Sequence, residues 1–542
     1  MDGTLFFAEQ EKVVIFVNMK EIINDIKYPV GIQTFSRIRK ENFLYVDKTS
    51  HIASLVNGGS YYFLARPRRF GKSLLLSTIE SFFKGEKDLF QGLAISKTNP
   101  TWETYPVLHL DLNNREYSDY AALLAELNAH LEKWETIYGD EKRDRAVEER
   151  FAWVIEKAYE RSGKQVVILV DEYDKPLLNV FGNEDLMERY RSTLKAFYSN
   201  LKTQDRYIKF AMLTGVARFN KVSIFSDLNN LRDISFEEEY SSICGITDQE
   251  ISGYFREGIQ NLSQRLSKPE NEIEEEIKQR YDGYHFCEES PDIYNPFSMM
   301  SLFAKRKFGN FWFESGTPEF LASLLRKGNW MIKDLAPIRF DAEELASAGI
   351  LSSNPIPVFY QTGYLTIKGY DKEYDEYILD YPNIEVKNSF LKFLLKSYQQ
   401  EISYSSNHLS IQDFVRDIRE GNPDGFIQRF ESLLAGMGYS EKGSPETRFQ
   451  DAIYLIFTLL GEYAMVERRT ADGRIDLIVE TSKILYLFEF KIDSKAQEAI
   501  DQIKDKEYWK PFRFSDKKVF IIGASFDSNS RKLKDYIVEE IN

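Results

Sequence analysis

The stretch Arg66-Pro67-Arg68-Arg69-Phe70-Gly71-Lys72-Ser73 decides the fold class of this chain. An apolar run, residues 61–65, precedes it and reads as a buried strand. Residues 74–84 follow with Leu75, Ile79, Phe82 and Phe83 at helical spacing, and Gly85 stands where a helix stops. A strand, a tight loop ending in Gly-Lys-Ser and a helix form the layout of a phosphate-binding P-loop. In such a loop, backbone N–H groups and the helix start face an anion. Lys72 reaches the terminal phosphates and Ser73 can hold magnesium. Arg68, Arg69, Phe70 and Gly71 complete the candidate nucleotide-binding loop. One position departs from the common pattern. Arg66 stands where the first glycine is usual, and Pro67 restricts it to extended geometry. A basic loop ahead of an ordinary helix is the competing reading.

Residues 166–170, Val-Val-Ile-Leu-Val, form a continuous β-branched and apolar run, as a central parallel strand requires. The run ends in Asp171-Glu172. With a P-loop upstream, Asp171 is a candidate magnesium ligand, Glu172 a candidate general base and Asp174 a reserve acid. Taken alone, residues 171–174 also read as a solvated turn. Runs at 107–112 and 209–213 complete a sheet. Thr214 stands where a polar sensor of the γ-phosphate lies; Arg218 reads either as a charge sensor or finger, or as a plain loop residue.

The length of 542 residues fits about two to four domains. A formal charge of −15 excludes nucleic-acid binding through bulk charge, so any such contact needs a local basic groove. Cys244 and Cys287 lie far apart and the five histidines are scattered, which excludes a disulfide framework and gives no zinc spacing. The chain reads as a protein of a reducing compartment, the cytoplasm. The longest apolar candidate, residues 452–460, is short for a membrane span. The first residues lack a basic leader and a cleavage site, and residues 1–18 read as an extension.

Residues 32–214 alternate strands and helices, which implies a parallel sheet covered on both faces. Thr247 and Glu250 form a capping box for a helix expected to run through Ile259, and another helix spans 272–281; together they read as a lid. Residues 364–367 and 377–379 flank a polar turn and read as a hairpin in a winged-helix-like connector. The expected division is an ATPase core at 19–240, a lid at 241–300, a connector at 301–424 and a last domain at 425–542.

That last domain carries a second chemical site. Residues 474–480 and 484–490 read as strands joined at Ser482-Lys483, which places Asp476 opposite Glu489. Glu489 and Lys491 are two apart and share a face. Opposed carboxylates repel by roughly a few tenths of a kcal/mol, and a divalent cation between them removes the penalty. Asp476 and Glu489 as magnesium ligands, with Lys491 beside them, suit phosphodiester hydrolysis. Glu446 is a candidate outer carboxylate, and Gln502 and Tyr508 are placed to face the same edge. An exposed hairpin with a Glu–Lys pair is the competing reading.

From about residue 28 onward the chain resembles the AAA-ATPase-like family that carries a C-terminal PD-(D/E)XK nuclease-superfamily domain. The matching residues are Tyr45-Val46-Asp47-Lys48-Thr49, the loop at 66–73, Asp171-Glu172-Tyr173-Asp174 and Tyr281-Asp282-Gly283-Tyr284. Further on they are Tyr294-Asn295-Pro296, Gln361-Thr362-Gly363-Tyr364-Leu365-Thr366, and residues 473–476 with Phe488-Glu489-Phe490-Lys491. Arg66 is itself typical of that family. The resemblance implies ATP binding at the first site and a restriction-endonuclease-like, magnesium-dependent nuclease fold at the second. The function expected is an ATP-binding protein whose nucleotide state gates a nuclease acting on DNA, with homo-oligomerisation as a further expectation. The alternative is a nucleotide-switched scaffold whose nuclease fold binds without cutting.

Overall fold

A computed structural model describes residues 26–98, 100–218, 230–313, 321, 324–325, 332, 335–347, 354–399, 410–436, 445–461, 465–468, 475–510, 516–527 and 533–541. The extension expected at 1–18 lies outside the described residues.

Five strands, β1 (Tyr61–Ala65), β2 (Val107–Asp111), β3 (Val166–Asp171), β4 (Ile208–Gly215) and β5 (Arg232–Asp233), form one sheet in the order β2-β3-β4-β1-β5. Every neighbouring pair is parallel. Parallel strands need crossovers, and these cover both faces, so β1 and β3 are buried along their whole length. Their carboxyl ends therefore gather at one edge, where open α/β sheets bind ligands. The helix Lys72–Phe83 leaves β1 and packs against β2, β3 and β4.

The next segment is clamped by a short antiparallel pair, β6 (Ile246–Thr247) with β7 (Ile293–Tyr294). Its helices share a separate apolar cluster that includes Ile251, Ile259, Ile277 and Met299. The capping box of Thr247 and Glu250 forms as read. The helix it starts does not run unbroken through Ile259. It stops at Asp248–Tyr254 and resumes as Arg256–Leu266. Phe255 between them is fully buried, and its ring stacks 5.0 Å from Phe303, so tertiary packing overrides helical continuity.

β8 (Ile338–Asp341), β9 (Thr366–Asp371) and β10 (Glu376–Asp380) form an antiparallel sheet ordered β8-β10-β9. The expected hairpin is β9–β10; β8 is an added edge strand. The last sheet, β11 (Met465–Arg468), β12 (Leu477–Glu480), β13 (Ile484–Ile492), β14 (Lys518–Phe526) and β15 (Leu533–Ile541), runs in sequence order. Only β13 and β14 are parallel, and the helix Ala496–Asp505 joins them. Alternation along β13 splits its side chains. Tyr486 and Phe488 face the cluster that holds Phe426 and Phe457, while Leu485 and Leu487 face Ile500 and Ile503. The result is a mixed sheet between helical layers, consistent with a restriction-endonuclease-like fold. Among the described residues no helix is long and apolar enough to cross a membrane.

Candidate functional site

The phosphate loop turns between β1 and the helix Lys72–Phe83 through two left-handed residues, Arg69 (φ 68°) and Gly71 (φ 94°). Arg66 explains how the loop holds without its usual first glycine. Its guanidinium is fully buried and donates to the carbonyls of Ala65 (2.9 Å), Ser235 (2.8 Å) and Tyr240 (3.0 Å), 4.1 Å over the Phe286 ring. Burial pushes its pKa down, yet these carbonyl dipoles and the ring face hold the cation. Arg66 thus braces the loop from beneath. Phe70 is buried as well, edge-on to Tyr284 and Phe286 at 4.8 and 5.4 Å, so it anchors the loop.

Further contacts hold the loop and the residues that follow β4. The Trp312 indole N–H donates to the Arg68 carbonyl at 3.0 Å. Gly363 abuts the Pro67 ring so closely that no β-carbon fits there without displacement. Gln361 Oε1 accepts the Arg218 N–H at 2.9 Å. Sequence reading quotes Gln361 and Gly363 for resemblance alone and misses Trp312 altogether.

A cavity of 390 Å³ opens above the loop. Its lining includes Arg68, Arg69, Lys72 and Ser73 from the loop, Glu172, Lys175 and Asn113 from the sheet edge, and the Phe297 ring. The Arg69 guanidinium lies 4.5 Å over the Phe297 ring. Four cations against one carboxylate make this an anion-attracting cavity of ligand size, so the residues present fit a nucleotide polyphosphate. Lys72 is only 3% exposed. Its ammonium bonds the carbonyls of Arg66 (3.1 Å) and Pro67 (3.3 Å) and pairs with Glu172 Oε1 at 3.3 Å. Glu172 is itself held in a left-handed conformation, φ 52°.

Asp171 ends β3 and is buried, and the Thr214 hydroxyl donates to its Oδ1 at 2.7 Å. Asp174 Oδ2 accepts the N–H groups of Val216 (2.9 Å) and Ala217 (2.6 Å), while Oδ1 is buried without a partner. Burial and the charge of Glu172 push the Asp174 carboxyl well above the usual carboxylate range. Arg218 pairs with Asp233 at 2.5 Å, 4.8 Å over the Phe236 ring. Asp171, Thr214 and Arg218 are not among the cavity-lining residues. Ser73 and Asp171 are hard oxygen donors of the kind magnesium takes.

In the second site the hairpin register is the one expected. Leu477 pairs with Phe488, which sets Asp476 opposite Glu489. The Asp476 N–H donates to Glu489 Oε2 (3.3 Å), and the Phe490 N–H donates to Asp476 Oδ2 (2.9 Å). Glu489 is 2% exposed; burial and then the charge of Asp476 hold its pKa up, and burial raises that of Asp476. Lys491 Nζ bonds Glu489 Oε1 (3.2 Å) and Gln502 Oε1 (2.5 Å), which brings Gln502 to the same edge. Tyr508 packs against the neighbouring apolar cluster. Glu446 sits in the first turn of the helix Pro445–Leu460, but its side chain lies outside the described residues, as do Gly473 and Arg474. Among the described residues no group of three or more His, Cys, Asp or Glu is placed to hold a metal. Magnesium commonly uses one or two carboxylates plus water and substrate oxygens, and two repelling carboxylates fit that donor set.

Residues 29–225 match the family model described as Predicted AAA-ATPase, and residues 444–536 match that of the PD-(D/E)XK nuclease superfamily. A protein of Azotobacter chroococcum mcd 1, described as "Uncharacterized protein in vnfD 5'region", is 34% identical over 529 residues. The similarity covers 95% of this chain and 99% of that protein. The chain therefore belongs to the AAA-ATPase-like family whose members carry a C-terminal PD-(D/E)XK nuclease-superfamily domain.

Proposed function

We propose that the chain is a cytoplasmic ATP-binding and ATP-hydrolysing protein whose nucleotide state gates a magnesium-dependent cut in DNA. The observation that carries this reading is the presence in one chain of a cationic cavity at the carboxyl edge of a parallel sheet and a carboxylate pair beside a lysine. The division at 19–240, 241–300, 301–424 and 425–542, and a homo-oligomeric state, are part of the proposal.

At the first site Gly71 and Lys72 bind phosphate, and Ser73 and Asp171 hold magnesium, with Thr214 orienting Asp171. When phosphate draws Lys72 away, Glu172 loses its ion pair and is free to accept a proton from water. At the second site Asp476 and Glu489 hold the cation, with Glu446 as an outer ligand. A bound magnesium ion lowers the pKa of its water and offsets phosphate charge. Lys491, steered by Gln502, adds positive charge where the scissile phosphate gains negative charge. DNA reaches this edge through a local groove.

Packing supports the gating. Pro67 presses on Gly363; the adjacent Tyr364 ring lies 5.1 Å from Phe390; the helix Ile384–Gln399 packs on Pro445–Leu460; and Phe457 of that helix lies 5.3 Å from Phe488, next to Glu489. One observation favours the scaffold alternative: both Glu489 oxygens already accept protein donors. Cleavage of plasmid and linear DNA with magnesium decides between them. Wild type is expected to cut, and Asp476→Ala and Lys491→Ala to lose cutting. Equal cleavage by all three removes the assigned site, and DNA binding with no cleavage supports the scaffold.

A further inference from the structure

We propose that Lys175 reads the terminal phosphate of a bound nucleoside triphosphate, so that the cavity tells a triphosphate from a diphosphate with a charge supplied by its own chain. This rests on the nucleotide reading of the cavity.

Lys175 follows β3 by four residues and opens the short helix Lys175–Asn179. Its ammonium donates to the main-chain oxygen and to the Oδ1 of Asn113, both at 2.7 Å. Asn113 belongs to the turn Leu112–Asn114 that follows β2. The two residues are far apart in sequence, but β2 and β3 pair in parallel with Asp111 beside Asp171, so both arrive at the same sheet edge. Asn113 fixes the lysine over the cavity that both residues line.

The charge of Lys175 is unspent. An ammonium has three N–H groups, and Asn113 takes two of them. Among the described residues no carboxylate lies within ion-pair distance of it. Burial pulls its pKa down, with the charge of Glu172 opposing that shift and the charge of Arg68 adding to it. Lys72 differs in its partners, since two carbonyls and Glu172 already engage it. Arg218, read from the sequence as a charge sensor, is paired with Asp233 and does not line the cavity, and the Arg69 guanidinium lies over the Phe297 ring.

The sheet order brings the two lysines to the cavity from separate strands. Lys72 enters with the loop after β1, and Lys175 enters from β3, on the far side of β4. A polyphosphate seated on the loop and extending toward Glu172 meets Lys175 with its distal group. A diphosphate ends short of it.

Calorimetry of the full chain with magnesium, titrating ADP and a non-hydrolysable ATP analogue, tests the assignment. Lys175→Ala should weaken the ATP analogue by about ten- to a hundredfold, the loss of one charge-assisted hydrogen bond, and leave ADP within about twofold. Lys175→Arg should keep most of the preference for the triphosphate, and Asn113→Ala should lose part of it. The assignment is overturned if Lys175→Ala weakens both nucleotides alike, if it changes neither, or if Arg218→Ala removes the preference and Lys175→Ala does not. Wild type that binds neither nucleotide overturns the cavity reading itself, an outcome distinct from these.

Discussion

Replacing Gly363 with alanine should damage the proposed nucleotide cavity from behind. Gly363 ends the helix Ile356–Thr362 in a left-handed conformation, φ 87°. An added β-carbon would stand 2.6 Å from Pro67 Cβ and 2.8 Å from Pro67 Cγ, with Tyr284 Cε1 at 3.5 Å. Carbon atoms settle at about 3.5–4.0 Å, so the Pro67 ring must shift by roughly an ångström. That ring belongs to the phosphate loop, between the braced Arg66 and the Arg68 carbonyl held by Trp312. The backbone conformation costs an L side chain about 1 kcal/mol. Overpacking adds about 1–3 kcal/mol, for a total of about 2–4 kcal/mol. Gly92→Ala calibrates the first contribution: φ is 79° and its β-carbon would meet nothing within 4 Å. Thermal unfolding and ATP calorimetry on both variants make the comparison. Gly363→Ala should unfold at a lower temperature than Gly92→Ala. If about 1.4 kcal/mol of the strain falls on the loop, it should bind ATP about tenfold more weakly than wild type. Gly92→Ala should bind as wild type. Equal destabilisation by the two variants, or wild-type ATP affinity in Gly363→Ala, would refute the claim that this contact shapes the loop.

Glu489→Gln tests the carboxylate pair through stability. The Glu489 pKa is raised in the fold, so stability is full below the unfolded value of about 4 and is lost as pH rises through the folded value. The metal-free variant should therefore melt above wild type at pH 7, yet lose the rise in Tm that magnesium gives wild type. A lower Tm with the magnesium response intact would contradict the assignment. Arg66→Gly restores the usual first glycine of the loop, and nonetheless should destabilise by about 3 kcal/mol or more, because three buried carbonyls lose their donor. Denaturant titration checks this; a variant as stable as wild type that binds ATP more tightly would remove the brace.

Local signals carried most of what sequence could show. Four of the five strands of the first sheet fall within a residue or two of their reading, since parallel strands buried on both faces leave unbroken apolar runs. The register at Asp476 and Glu489 followed from a two-residue turn. β5 and β8 were not legible, because two to four residues at a sheet edge carry no period. β14 does carry a local signal, the apolar run at 519–522. Phe255 broke a helix for reasons visible only in its packing partners. Arg66 reads as a departure from the common loop, and its bracing role is not legible, because a fully buried arginine without a carboxylate is rare. Lys175 and Asn113 form a pair only after β2 and β3 are neighbours, and Trp312 finds the Arg68 carbonyl across more than two hundred residues. Such contacts belong to the topology and leave no periodic trace in the chain.

The most direct measurement is the rate of plasmid cleavage by the full chain with magnesium in three states: without nucleotide, with ADP, and with a non-hydrolysable ATP analogue, for wild type and Lys72→Ala. The wild-type rate should change between the nucleotide states, and Lys72→Ala should cut at one rate in all three. A wild-type rate that ignores the nucleotide would contradict the coupling of the two sites.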